Sequence, residues 1–197
     1  MSFVSIIASS EFASVVSDGC LSDLDETGRR VIVPGSRPSF VRVSECQLIA
    51  CTGSARSLKQ VKAAFPFRKE GYAFGADNLA TLEKIIRCVP YHAQDALIAI
   101  VNAEPTMSCR MISNEDGQGW QTLRPESDRF AVLFLGGREL NEDKMKQIYR
   151  VFNQQIKNDG QKNPQSIFSA QKDVSRLAAE LDSSVNKRIF HQLIRKG

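Results

Sequence analysis

A serine, an aspartate sixteen positions further on, and a glycine at the head of a helix are the residues whose types and spacing suit chemistry in this chain of 197 residues. Ser2 follows Met1, and Asp18 stands in the context Val16-Ser17-Asp18-Gly19. Between them lie two short β-branched and aromatic runs, with Phe3, Val4, Ile6 and Ile7 in the first and Phe12, Val15 and Val16 in the second. A small polar turn at Ser9 to Glu11 separates them, so the segment reads as a β-hairpin that returns Asp18 to the side of Ser2. A hydroxyl then lies next to a carboxylate. If Met1 is removed, Ser2 also carries a free α-amine, whose ordinary pKa of about 7.7 to 8.0 suits a general base near neutral pH. One residue would then supply both nucleophile and base. Neither run alternates strictly, so both strands are expected to be buried.

Composition bounds what can position such a site. With 42% hydrophobic residues in 197, one domain with a sizeable core, spanning 1–197, is expected. Lys and Arg number 26 against 22 Asp and Glu, for a net charge of +4. These charges are dispersed, with pairs such as Arg29-Arg30 and Lys187-Arg188 but no long basic run, which argues against a nucleic-acid partner. The five cysteines (Cys20, Cys46, Cys51, Cys88 and Cys109) form no C-x-x-C pair, are odd in number, and sit in mostly apolar or small-residue settings. Buried thiols in a reducing cytoplasm are the expectation. No stretch approaches the ~20 apolar residues of a membrane span, and no secretory leader is read at the start, so a soluble intracellular protein without a membrane partner is expected. His92 and His191 are isolated, which predicts no metal site, and no cofactor motif is read.

Further along, Cys20 to Pro38 reads as a loop with one short strand at Val31-Ile32-Val33. Strands follow at Ser39 to Ser44 and Gln47 to Thr52, joined by a tight turn at Glu45-Cys46. Gly53 ends them. A helix opens at Ser54 or Ala55, carries Leu58, Val61 and Phe65 on one face, and stops at Pro66. A second helix is predicted from Asp77 or Asn78 as N-cap through Leu82, Ile86 and Val89 to Pro90. Strands at Ala96 to Val101, Cys109 to Ser113, Trp120 to Leu123 and Phe130 to Leu135 are expected to form a second antiparallel sheet. Asn141 caps a third helix that Asp159-Gly160 ends, and Asn163-Pro164 opens a fourth. A strand from Arg188 to Ile194 closes the chain. Strands, two helices, strands, two helices and a strand predict an α+β, four-layer αββα sandwich, two antiparallel sheets packed between helical layers.

On these residues the chain resembles the N-terminal nucleophile hydrolases, in particular the proteasome β subunits and the related bacterial heat-shock peptidase of the HslV type. The matching residues are Ser2 and Asp18 at their spacing, the basic strand Phe40-Val41-Arg42-Val43, and the run Leu48-Ile49-Ala50-Cys51-Thr52-Gly53-Ser54-Ala55. The resemblance implies the same four-layer fold. It also implies Ser2 as nucleophile, its own amine as base, Asp18 as orienting carboxylate, and the Gly53 N–H as oxyanion donor. It implies a homo-oligomer built as a ring or stacked rings, a protein or peptide substrate, and no cofactor.

The chain departs from that pattern in three places. The family sets a lysine near the position of Ser39, where its charge lowers the pKa of the nucleophile, and no lysine precedes Lys59. Arg37 or Arg42 could supply a charge instead, although a guanidinium does not exchange protons. Phe134-Leu135-Gly136-Gly137 resembles the family segment with its accessory serine, but holds Leu135. The family's late aspartate and serine have loose counterparts at Asp182, Ser183 and Ser184. Two readings follow: a degenerate, non-catalytic fold serving as an oligomeric scaffold or interaction protein, and an N-terminal-serine peptidase or amidohydrolase that acts once Met1 is removed.

Overall fold

Two-sided burial explains why the first segments do not alternate. In the computed structural model, which describes residues 2–159 and 163–196, they form β1 (Val4–Ala8) and β2 (Phe12–Asp18), and every residue of both is buried. Val4, Ile6, Ala8, Ala13 and Val15 face one apolar layer; Phe3, Ile7 and Phe12 face another. Ser9 makes the turn between them, its Oγ accepting the N–H groups of Glu11 at 3.2 Å and Phe12 at 3.1 Å. Met1, and the Gly160 expected to stop the third helix, lie outside the described residues.

The segment after Asp18 differs from the expected loop with one strand. It is a hairpin of β3 (Leu21–Leu24) and β4 (Arg30–Val33), paired antiparallel as a sheet of its own. Asp25 closes the turn by accepting the N–H groups of Thr27 and Arg29, both at 2.9 Å, and the Thr27 hydroxyl at 2.7 Å. Aspartate in that role is a turn former, which hides a hairpin whose strands are only four residues long.

The remaining strands are β5 (Phe40–Arg42), β6 (Gln47–Thr52), β7 (Leu97–Asn102), β8 (Ser108–Ser113), β9 (Gln121–Leu123), β10 (Ala131–Leu135) and β11 (Ile189–Arg195). Their grouping corrects the expectation that the strands after the first helix pair form a sheet by themselves. One sheet runs β5-β6-β7-β8-β9 and the other β10-β1-β2-β11. β10 pairs with β1 from Val4↔Leu135 to Ala8↔Ala131, and β11 pairs with β2 from Ile189↔Asp18 to Arg195↔Phe12. Strands buried on both faces need a hydrogen-bonding neighbour on each edge, and only distant parts of the chain can supply the outer two.

The helices fall close to their expected places. α1 (Ala55–Ala64) is capped by Ser54, whose side chain accepts the Ser57 N–H at 3.1 Å. α2 (Ala76–Arg87) begins two or three residues earlier than expected. Its N-cap is Gly75, so Asp77 lies within the first turn, where its charge suits the positive end of the helix dipole, and Asn78 turns back to the Ala73 carbonyl at 2.6 Å. α3 (Glu142–Asp159) is capped by Asn141 through the Lys144 N–H at 3.1 Å. α4 (Pro164–Leu181) is capped by Asn163 through the N–H groups of Gln165 and Ser166.

Three apolar layers hold the sandwich. Val4, Ile6 and Val15 meet Leu48, Ala50 and Val101 between the sheets. Leu58, Val61, Phe65, Leu82 and Ile86 of the first helix pair cover Ile49, Ile98 and Ile100. Ile148, Phe152, Ile167 and Val174 of the second pair cover Phe3, Ile7 and Phe134. Each of the Val, Leu, Ile and Phe side chains contributes roughly 1.5 to 3 kcal/mol by leaving water. No helix among the described residues is long and apolar enough to cross a membrane.

Candidate functional site

The start of β1 and the end of β2 are stitched together by one carboxylate. Asp18 Oδ1 accepts the Phe3 N–H at 2.9 Å, and Oδ2 accepts the N–H groups of Cys20 at 3.1 Å and Asn186 at 3.0 Å. The Asn186 side chain answers by accepting the Gly19 N–H at 3.1 Å. Burial pushes Asp18 up to about 6, the three backbone N–H groups pulling the other way. Ser2 is 1% exposed and donates its hydroxyl proton to the Cys20 carbonyl at 2.5 Å. The hairpin thus brings Ser2 and Asp18 to the same place, with the serine proton on a carbonyl oxygen.

Gly53 reaches this region through β3. Its carbonyl accepts the Ser22 hydroxyl at 3.1 Å, and Ser22 in turn accepts from Gln94 at 3.1 Å. Ser2 and Gly53 therefore grip Cys20 and Ser22, residues two apart along one extended segment and so roughly 7 Å from each other. Gly53 has φ +88°, and a Cβ there would lie 2.2 Å from the Asp95 carbonyl oxygen, so only glycine fits.

The groups around them are mainly hydroxyls and carboxylates. Ser39, near which the resemblance sets a lysine, is fully buried; its N–H donates to Ser17 Oγ at 3.1 Å, and its own Oγ has no hydrogen-bond partner. Arg42 is spent on the β5–β6 turn, bonded to the Ser44 and Glu45 carbonyls at 3.0 Å each and to the Glu45 carboxylate. Arg37 lies closer, its backbone N–H on the Gly19 carbonyl at 3.3 Å, with its exposed side chain lining a groove against α1. Leu135 is buried between the sheets opposite Val4. Asp182 is buried; its Oδ1 accepts both the N–H and the hydroxyl of Ser184, at 2.8 and 2.6 Å, and its Oδ2 is left without a hydrogen bond. Ser183 is exposed. Asp18 and Asp182 both bear on Cys20, whose thiol is pushed up by burial first and by those two charges after it. Cys51 and Cys109 are pushed up to about 12 by burial, which leaves them inert thiols, whereas Cys88, expected to be buried, is exposed.

A polar cluster that was not singled out from the sequence lies between β1, β2 and α4. Gln171 of α4, fully buried, donates to the Ser5 carbonyl, the Ser5 hydroxyl and the Ser14 carbonyl, all at 3.0 Å. It accepts the Ser14 hydroxyl at 2.5 Å, and Ser14 meets His191 Nε2 at 3.0 Å. The polar residues Ser5 and Ser14 interrupting two apolar runs were the available hint.

Two antiparallel sheets between helix pairs, opening on a hairpin that sets residue 2 beside an aspartate, make the fold of the proteasome-like N-terminal nucleophile hydrolases. No family sequence model matches the chain, and no curated protein matches it either. Solved structures do. The eukaryotic HslV of Trypanosoma brucei is 13% identical, with 98% of this chain and 99% of that one covered at a TM-score of 0.55. BPH of Thiobacillus denitrificans, solved in complex with epoxomicin, is 12% identical over 99% of both chains at a TM-score of 0.57. The Anbu complex of Pseudomonas aeruginosa, solved as a helical assembly, is 10% identical over 98% of this chain and 81% of that one, at a TM-score of 0.59. The likeness is one of fold.

Proposed function

We propose that the chain is a single-domain, non-catalytic member of this fold that works in the cytoplasm as an oligomeric scaffold or interaction protein. One observation carries the reading: the Asp18 carboxylate is consumed by three backbone N–H groups while the Ser2 hydroxyl gives its proton to Cys20. A nucleophile needs its proton directed to a base, and here the pair acts as a structural clamp instead. Ser39 and Leu135 in place of the polar and charged supports favour the same reading, as do five free cysteines for a reducing compartment. The helical assembly formed by Anbu supports the expectation of a homo-oligomer.

A second reading is favoured by the proximity of Ser2 and Asp18, joined through the Phe3 N–H at 2.9 Å. Without Met1, the Ser2 nitrogen becomes an amine and the chain an N-terminal-serine peptidase or amidohydrolase. Intact mass on protein from a methionine-processing host, followed by epoxomicin and amide substrates, separates the two. The scaffold reading expects no adduct and no hydrolysis, with a defined oligomer by light scattering that Ser2→Ala leaves unchanged. An adduct that Ser2→Ala abolishes would overturn it in favour of the enzyme.

A further inference from the structure

Next to the junction of Gly53 and α1, a groove of about 420 Å³ runs between the β3–β4 hairpin and the helix. Its floor is aliphatic, formed by Leu21, Val33 and Leu58. Its walls carry four exposed cations, Arg37, Arg56, Lys59 and Lys62. The three on α1 recur every third residue, which sets them along one flank of the helix while Leu58 and Val61 turn to the core.

Asp23 is the one carboxylate in the lining, so positive charge is in excess there. None of the four cations enters an ion pair among the described residues. The acid in the lining, Asp23, is already committed: Oδ2 accepts the Arg56 N–H at 3.0 Å, and Oδ1 accepts the Leu24 N–H at 3.1 Å and the Ser54 hydroxyl at 3.3 Å. It therefore serves the first turn of α1. Four cations against one carboxylate leave an excess of positive charge around an apolar recess, and an anionic ligand with an apolar anchor offsets that excess while covering the floor.

We infer that this groove binds an acidic peptide segment, with one aliphatic side chain seated on Leu21, Val33 and Leu58 and Asp or Glu residues on either side reaching the four cations. The inference rests on the interaction reading proposed above and names the chemistry of the partner. A single-stranded nucleic acid fits less well, because the lining has no aromatic ring on which a base could stack. A bilayer surface cannot enter a recess.

The test is fluorescence anisotropy on the full chain with a labelled peptide in which leucine is flanked by glutamates. Saturable binding is expected, weakened by added salt. Lys59→Glu with Lys62→Glu, both exposed positions, should lower affinity at least ~10-fold, and Arg37→Glu should do so independently. Replacing the peptide's leucine by serine should cost a similar factor, and a lysine-flanked peptide should not bind. No binding, equal binding without the leucine, indifference to all three charge reversals, or stronger binding of an oligonucleotide would each overturn the inference. Peptide mass after incubation and the oligomer by light scattering are read in the same samples. Cleavage would sink the non-catalytic reading while leaving the groove, and loss of affinity with an intact oligomer would locate the effect in the groove.

Discussion

The Ser2 hydroxyl lies 2.5 Å from the Cys20 carbonyl oxygen, a buried hydrogen bond that ties the segment leading into β1 to the residue before β3. Its removal defines what Ser2 does in the chain as it stands. Ser2→Ala should lower the unfolding free energy by about 1 kcal/mol, the usual net worth of such a bond, by leaving one buried carbonyl short of a donor. Denaturant unfolding monitored by the fluorescence of Trp120 measures it. A change of more than about 3 kcal/mol would mean that the hydroxyl supports more than this one contact.

Asp18 makes stability depend on pH in the direction opposite to most carboxylates. Burial holds it up to about 6 against 3.8 for an unburied aspartate. Between those values the folded chain keeps a proton that the unfolded chain has lost. Its contribution is therefore fully present below the lower value, declines as pH rises through the interval, and is gone above the upper one, a loss of about 3 kcal/mol. Asp18→Asn keeps an acceptor for the Phe3 N–H but does not titrate. The unfolding free energy of the wild type minus that of the variant should fall by that amount across the interval. A difference that stays flat with pH would show that the carboxylate does not titrate there.

Much of this was legible in residue types. Phe3 to Val16 carries enough β-branched and aromatic residues to announce two buried strands, and Asn163-Pro164 announces a helix start by the donor it lacks and the acceptor it offers. Partnership between strands was not legible: Phe130 to Leu135 reads as an apolar strand anywhere, and only burial of β1 on both faces sends it to that distant neighbour. The β3–β4 hairpin was hidden by its short strands and polar turn. At the site, the spacing from Ser2 to Asp18 placed the two together, but it could not tell a carboxylate that orients a nucleophile from one that binds three backbone amides.

Gly53 sits where no other residue can. Gly53→Ala would combine a positive φ of 88° with a Cβ 2.2 Å from the Asp95 carbonyl oxygen. That wall is braced, since Arg138 donates to Asp95 Oδ1 at 2.6 Å and to the carbonyls of His92 and Tyr91. A loss above about 3 kcal/mol is expected, strain adding to overlap. Arg138→Ala frees the wall to retreat, so the double variant should be less destabilised than the sum of the singles, with a coupling of about 1 kcal/mol. Strict additivity would mean that the brace does not hold Asp95 against Gly53.

Gln171 is the polar pin between α4 and the strands β1 and β2, and its replacement has two readouts. In Gln171→Leu the volume is nearly kept while the Ser5 and Ser14 carbonyls lose their donor and the Ser14 hydroxyl its acceptor, so a cost of about 3 kcal/mol is expected from the stranded groups. The second readout is the proton on His191. With the Ser14 proton committed to Gln171 Oε1, His191 Nε2 must donate to Ser14 Oγ and so carry the ring hydrogen. Once Gln171 is gone, the Ser14 hydroxyl is free to donate to Nε2, and the hydrogen moves to Nδ1. Nitrogen-15 chemical shifts of His191 near neutral pH report the tautomer directly. An unchanged Nε2–H tautomer in the variant would mean that Phe168, stacked on the ring at 4.0 Å, and the surrounding burial set the imidazole, leaving Gln171 a packing role only.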